Sequence, residues 1–308
     1  MAVDVSIIYV NYFTSRLIAD SLKSVIEKTC GLNYEVIIVD NNTEPDLKEK
    51  FSSFVPDSLS VKYVFLKDNI GFGPANNVGA LEAEGEMIFL LNPDTLLINN
   101  AIKTLYDFLK STPKAGVCGG NLTDAQGTPV FSFRKILPGP DWEFQELTRH
   151  IFTHPLNQRR RFYNYTGRPM KVAYVSGANL MIRTDIYREC KGFPEDIFMY
   201  WDDVELCKRV KDLGYKVYSV PEARICHLEN KSFDNVNLKN NLKLEFQEKY
   251  RHIYLRRNKG RFKANIANRI YHLFLQSRIL ALKEGNKKEY YKIRKHLFQK
   301  FLKETRDR

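Results

Sequence analysis

The chain has 308 residues, 44% of them hydrophobic, enough for one large domain with an appendage and a substantial core. Its formal charge of +12 belongs wholly to the C-terminal quarter: residues 231–308 hold 22 Lys or Arg against 7 Asp or Glu, leaving 26 against 29 for residues 1–230. A near-neutral body with a basic appendage argues against a nucleic-acid partner and fits an enzyme working beside an anionic surface.

No basic, apolar and small-residue leader opens the chain. No uncharged apolar run approaches the roughly 20 residues needed to cross a bilayer, so a soluble, cytoplasmic protein is expected. Cys30, Cys118, Cys190, Cys207 and Cys226 are odd in number and never in a C-x-x-C spacing. They predict reduced core thiols, neither a disulfide framework nor a zinc site.

In chain order, VSIIYV (5–10) is a continuous apolar run, followed by helical spacing at Leu17, Leu22, Val25 and Ile26 and by a second run, EVIIVD (35–40). Such runs predict buried parallel strands joined by a helix. The alternation continues with a helix around Pro45 to Phe54, a strand VKYVFL (61–66), a helix PANNVGALEA (74–83) and a strand EMIFLL (86–91). Four such units predict an α/β fold with a Rossmann-like, doubly wound, mostly parallel sheet, whose ligands sit where strands turn into helices.

The polar residues at those turns are Asn11, then Asp40-Asn41-Asn42, Lys67-Asp68-Asn69 and Asn92-Pro93-Asp94. Each alone reads as an ordinary cap or turn. Four on one sheet edge make a polar crescent. Gly71 and Gly73 let backbone approach a ligand, and Pro74 suits a first helical turn. The first strand is followed by VNYFTSR rather than G-x-G-x-x-G, which disfavours a nicotinamide dehydrogenase.

Further on, SGANLMIR (176–183) and YKVYSV (215–220) predict strands. FMYWDDVELCKRV (198–210) places Asp202 and Asp203 ahead of a helix exposing Glu205 and Lys208 on different faces. Between them, Phe133 to Tyr165 shows no firm period and reads as an insertion, a mobile lid over a ligand. Within it Arg159, Arg160 and Arg161 are either a phosphate contact or a solvated charge run. The tail has helical spacing at Leu242, Phe246 and Tyr250, at Ile266, Ile270 and Phe274, and at Tyr290, Ile293, Leu297 and Phe301. Its basic amphipathic helices fit packing on the body, a partner subunit in a homo-oligomer, or a membrane plane. The composition shift divides the chain into a domain over 1–230 and an extension over 231–308.

The segments SIIYVNY, VIIVDNNT, DNIGFGPANNVGA, LLNPDT, YVSGANLMIR and FMYWDDVELCKRV, in that order, resemble the family 2 inverting glycosyltransferases of GT-A fold, in particular the rhamnosyltransferase-like branch. The resemblance covers roughly residues 3–230. It implies base contacts from Val10, Asn11, Tyr12 and Asp40, and a donor pocket including Asn42, Asn69, Gly71, Phe72 and Asn76. Ser176, Gly177 and Ala178 resemble the family's turn beneath the donor sugar. Where the family has D-x-D, this chain has Asn92-Pro93-Asp94. The resemblance thus implies a manganese or magnesium ion held by Asp94, with His227 as a second ligand and Asn92 offering a neutral amide. Asp203 takes the place of the catalytic base, Asp202 orients acceptor or base, and Trp201 either stacks on an acceptor sugar or fills core.

The implied reaction moves a sugar from a nucleotide diphosphate, best dTDP-L-rhamnose, to a glycan or glycolipid acceptor in cell-surface polysaccharide synthesis. A UDP-hexose donor and a non-catalytic sugar-binding subunit are the alternatives. A lipid-linked acceptor would place the chain at the cytoplasmic face of the inner membrane, in peripheral contact with anionic lipid.

Overall fold

Strand β1 (Val5–Asn11) is buried along its whole length, and so is nearly all of β2 (Tyr34–Asp40), as expected of strands covered on both faces. They belong to a computed structural model that describes residues 2–42, 44–152, 162–228 and 240–304. The chain divides into two compact units. One holds every strand. The other holds the helix over Pro140–Phe152, the short segment Met199–Trp201 and the C-terminal helices.

In the sheet unit, β1 pairs in parallel with β2 on one side and with β4 (Met87–Leu91) on the other, and β3 (Val61–Phe65) extends the β2 side. The sheet runs β3-β2-β1-β4 and continues through β10 (Asn179–Arg183), β6 (Ala115–Thr123), β11 (Lys216–His227) and β5 (Thr95–Leu97); β8 (Met170–Val172) also pairs with β11. The first four strands and the β6/β11 pair are parallel, while β10, β5 and β8 are antiparallel to their neighbours. The mostly parallel, doubly wound sheet is therefore present. The pair β7 (Phe133–Arg134) and β9 (Tyr174–Val175) forms a small separate ribbon.

The helices of this unit bury one stripe each. In α1 (Ser15–Lys28) the stripe is Ile18, Leu22 and Val25, and in α4 (Ala101–Ser111) it is Ile102, Leu105 and Leu109. Both pack into one core with Tyr9, Phe51 and Phe89. Helices α2 (Leu47–Ser52), α3 (Phe72–Leu81), α6 (Thr184–Glu189) and α7 (Asp202–Asp212) complete the unit. Three of the five cysteines are buried as expected, whereas Cys30 lies at the surface.

The second unit departs from expectation. The stretch without a firm period forms α5 (Pro140–Phe152), and residues 153–161, with Arg159, Arg160 and Arg161, lie outside the described residues. The tail forms α8 (Asn240–Ala281) and α9 (Asn286–Glu304); the composition boundary at 231 also lies outside the described residues. Helix α8 is not straight: Gly260, at φ 69° and ψ 164°, interrupts it. The Arg251 guanidinium donates to Asn268 Oδ1 at 2.9 Å. Seventeen residues of straight helix would separate those positions by about 25 Å, so the helix folds back at Gly260 into two arms.

Between these arms and α5 lies a buried ionic network. Arg251, 1% exposed, donates to Glu143 Oε1 from Nε at 2.9 Å and Nη2 at 2.6 Å, and stacks 3.9 Å above the Tyr271 ring. Glu248, wholly buried, accepts from Tyr271 Oη and from Arg294. Phe274, Leu275 and Phe298 pack around Tyr271.

Candidate functional site

Because β1 has β2 on one side and β4 on the other, the chain changes winding direction between β1 and β4, and it is beyond the C-terminal ends of such strands that doubly wound sheets bind ligands. Val10, Asn11 and Tyr12 end β1 there. Asn11 Nδ2 donates to Asp40 Oδ1 at 2.9 Å and to Glu44 Oε2 at 2.8 Å, while its Oδ1 accepts from the Thr14 amide and hydroxyl. All four hydrogen-bonding positions of this wholly buried amide are filled by protein. The Asn11 side chain therefore fixes Asp40. Asp40 also accepts from the Glu44 amide, and burial, opposed by these bonds, lifts its pKa. Tyr12 stands half-buried and edge-on to the exposed Phe13 ring at 4.9 Å.

The turn after β3 is organised by Asn41, a member of the polar crescent that was not among the expected donor contacts. Asn41 Nδ2 donates to Asn69 Oδ1 at 2.8 Å and its Oδ1 accepts from the Ile70 amide at 3.0 Å; Asn69 Oδ1 also accepts from the Gly71 amide. Gly71, at φ +97°, has Phe198 backbone where a side chain would stand. A Cβ there would lie 2.4 Å from the Phe198 carbonyl oxygen, which accepts from the Phe72 amide at 2.8 Å. Gly73 is likewise covered, by Phe193. The close approach expected of these glycines is made by the chain's own 193–198 segment.

Asn76, expected in the donor pocket, turns its amide onto the Phe72 carbonyl of its own helix. Its neighbour Asn77 reaches across instead, donating to the Phe193 carbonyl and accepting from the Phe193 amide and Tyr187 Oη at 2.6 Å. One step along a helix is about 100°, and an N-N pair does not reveal which member faces the loop.

At the end of β4, Asp94 is 3% exposed and its Oδ1 lies 3.3 Å from His227 Nε2. The pairing of β5 with the end of β11 sets His227 opposite Thr95, and the Leu228 amide donates to the Asp94 carbonyl. Two residues 133 positions apart in sequence thus face one another. Among the described residues no group of three or more His, Cys, Asp or Glu is placed to hold a metal. The Asp94/His227 pair still fits a cation: an octahedral ion with ~2.1 Å arms has adjacent ligands about 3 Å apart. In the same turn Asn92 Oδ1 is buried without a hydrogen-bond partner.

The Ser176-Gly177-Ala178 turn joins this end to the acidic pair. The Asn92 amide donates to the Ala178 carbonyl at 3.0 Å, and the Gly177 amide donates to Asp203 Oδ2 at 3.1 Å. Ser176 Oγ accepts from the Ala178 amide and braces the turn. A Cβ on Gly177 would meet Asp203 Cβ at 3.4 Å and the Phe72 ring at 3.7 Å. Asp203 Oδ1 accepts from the Val204 amide at 2.8 Å. Asp202, 5% exposed, accepts from the Asp203 amide on one oxygen, while its Oδ2 is buried and unpartnered.

Burial raises both carboxyls above the ordinary range, and the Asp203 charge raises Asp202 further. Amide hydrogen bonds favour the ionised form, and Asp203 has one on each oxygen. The surroundings therefore favour the ionised form of Asp203 over that of Asp202, and the two titrate as a pair.

One expectation is corrected: Glu205 is buried, 2% exposed, rather than solvent-facing. Trp201, partly buried, belongs to the helical unit, edge-on to Trp142 at 6.0 Å and tilted against Tyr254 at 5.5 Å. Tyr200 and Trp201 hold φ of 65° and 66°, costly for bulky residues, immediately before Asp202. Two clefts have other linings: one in the helical unit against α9 near Glu245 and Lys300, the other in the sheet unit near Leu32 and Pro56. Neither gathers the buried, unpartnered oxygens found at Asn42, Asn92 and Asp202.

A nine-stranded, mostly parallel sheet with an acidic pair and an Asp/His pair at its strand ends defines a GT-A type protein. Residues 6–190 match the model of glycosyl transferase family 2, and the chain belongs to that family. Asp202, Asp203 and His227 lie beyond the matched segment.

The chain is 27% identical over 180 residues to the N-acetylglucosaminyl-diphospho-decaprenol L-rhamnosyltransferase of Mycobacterium tuberculosis, spanning 52% of this chain and only 56% of that protein. It is 23% identical over 286 residues to the dTDP-rhamnosyl transferase RfbF of Shigella flexneri, covering 90% of this chain and 88% of that one. Its fold is shared with GalNAc-T7 bound to UDP, GalNAc and Mn2+, at TM-score 0.60 and 16% identity over 98% of this chain and 56% of that one. It is shared also with the mannosyltransferase PcManGT of Pyrobaculum calidifontis bound to GDP-Man and Mn2+, at TM-score 0.59 and 14% identity over 100% of this chain and 88% of that one.

Proposed function

We propose that the chain is an inverting glycosyltransferase that moves a sugar, best L-rhamnose from its dTDP diphosphate, onto a saccharide acceptor carried on a lipid. The observation that carries this reading is the hydrogen-bonded path from the Asn92-Pro93-Asp94 turn through Ala178 and Gly177 to Asp203, which joins a diphosphate end to a base. The similarity to rhamnosyl transferases supports the choice of sugar.

In the proposed reaction the acceptor hydroxyl attacks the anomeric carbon, its proton passes to Asp203, and the bond to the diphosphate breaks with the electron pair leaving on phosphate. One displacement inverts the anomeric configuration. Asp202, holding the proton of the pair, keeps Asp203 the only ionised carboxylate beside the acceptor. Asp94 and His227 would hold a manganese or magnesium ion, which when bound neutralises charge on the departing diphosphate. Asp40 and the Tyr12 end of β1 receive the base, and Asn42 Oδ1 is an acceptor still open to a donor group on the ligand.

A panel of dTDP-, UDP- and GDP-sugars, followed by release of nucleoside diphosphate, tests the reading. The fastest release is expected from dTDP-L-rhamnose, abolished by a chelator and restored by manganese or magnesium. A UDP-hexose in first place would change the donor. Binding without release for every sugar would overturn the catalytic reading.

A further inference from the structure

We infer that the second arm of α8 is a face that seats on an anionic lipid surface. The inference rests on the chemistry of the helical unit alone and stands apart from the transferase reading. Phe262, Leu273 and Leu280 are 77%, 54% and 84% exposed. Their spacings of eleven and seven residues bring each back to within about 20° of the same line, since a helix advances about 100° per residue. The line extends over eighteen residues, about 27 Å. The opposite side of the arm is spent: Ala264, Ala267, Tyr271 and Leu275 are buried in the helical unit. Among the described residues nothing covers the exposed line.

Charge selects the occupant. Arg261, Lys263 and Arg269 are exposed along the same arm, and residues 261–281 contain no Asp or Glu. Arg261 and Lys263 lie about 100° to either side of the line and Arg269 lies on it, an arrangement that matches the boundary of an anionic leaflet, where aromatic and aliphatic side chains enter the acyl region and Arg and Lys meet phosphates. A second copy of the same arm would set Arg and Lys against Arg and Lys. Among the described residues no helix is long and apolar enough to cross a membrane, so the contact is planar and reversible.

The full chain should sediment with vesicles of phosphatidylcholine mixed with phosphatidylglycerol and far less with phosphatidylcholine alone. The triple variant F262S/L273S/L280S should weaken attachment by at least about tenfold, because three apolar groups no longer leave water. The variant R261Q/K263Q/R269Q should weaken it by roughly fivefold per charge, and the salt dependence of what attachment persists should be reduced. All six residues are exposed, so thermal melting should stay at the wild-type value; Leu280→Asp, one change at the most exposed position, serves if the triple variant fails to fold. Nucleoside diphosphate release with a water-soluble acceptor should be unaffected in each, which separates this inference from the transferase reading. Wild-type vesicle attachment in the apolar variants would overturn it. So would light scattering that shows a wild-type dimer broken by F262S/L273S/L280S, which would give the face to a second copy.

Discussion

Asp202 and Asp203 are neighbours of one chemical type whose oxygens meet different surroundings, and that difference assigns their work. Asp203→Asn keeps size and removes the proton acceptor, so nucleotide-sugar binding should persist while turnover falls by about 10² to 10⁴. Calorimetric titration of the donor beside single-turnover rates checks the separation, and wild-type turnover would move the base to Asp202. The wild-type acid limb of kcat/KM should lie above the usual carboxylate range, because burial raises the pair and the base must be ionised to act.

Stability has the opposite pH sense. A carboxyl raised in the folded state favours folding below its unfolded pKa, and that support is lost as pH rises through the folded value. Asp202→Asn stays neutral throughout, so its melting temperature relative to wild type should climb between pH 4 and pH 8; a difference that stays flat across this window would deny the burial of the charge. Sequence order put forward these two residues and the Asp94/His227 pair, and the fold brings Asp94 and His227 within 3.3 Å. Which asparagine of Asp40-Asn41-Asn42 or of Asn76-Asn77 turns inward was not legible, because helix phase and turn geometry decide it and all the side chains are alike.

At the scale of elements, apolar runs were the readable part. Strands β1, β2, β3 and β4 fall within a residue or so of their predicted ends because each is a short hydrophobic block bounded by polar turns. Helix α5 escaped notice because its fully buried side chain is Glu143 while Phe144 is 57% exposed, the reverse of an amphipathic pattern. That inversion makes a prediction. Arg251→Met alone should cost about 3–5 kcal/mol by stranding the Glu143 carboxylate, and Glu143→Leu with Arg251→Met should recover much of it. Urea unfolding of the single and double variants checks this. The N-terminus of α3 offers another: Gly71→Ala meets both a positive φ and the Phe198 carbonyl, costing on the order of 1–3 kcal/mol in backbone strain. The shift is directed at the segment leading to Asp202, so turnover should fall more than donor affinity; an unaltered kcat would show that this approach does not position the pair.

Across the whole molecule, charge is partitioned along the chain: residues 1–230 are close to neutral and the tail holds the excess. Attachment to anionic vesicles should therefore collapse as salt is raised from about 0.01 M to about 1 M, over which the screening length shrinks from roughly 30 Å to 3 Å. Secondary structure monitored over the same titration should hold steady, and salt-insensitive attachment would remove charge from the explanation. The location of this excess was plain in composition. The fold-back at Gly260 was not, since one glycine in a run of helix formers reads as a tolerated defect.

That glycine sets how the tail can change over generations. Each residue inserted or lost between 261 and 267 would turn everything beyond it by about 100°. Asn268 would swing away from Arg251, and Leu273 and Leu280 would leave the line begun by Phe262. The arm is thus open to drift in residue type yet closed to drift in length. Insertions and deletions among descendants of this sequence should gather in the Lys283-Glu284-Gly285 link ahead of α9 rather than within the arm.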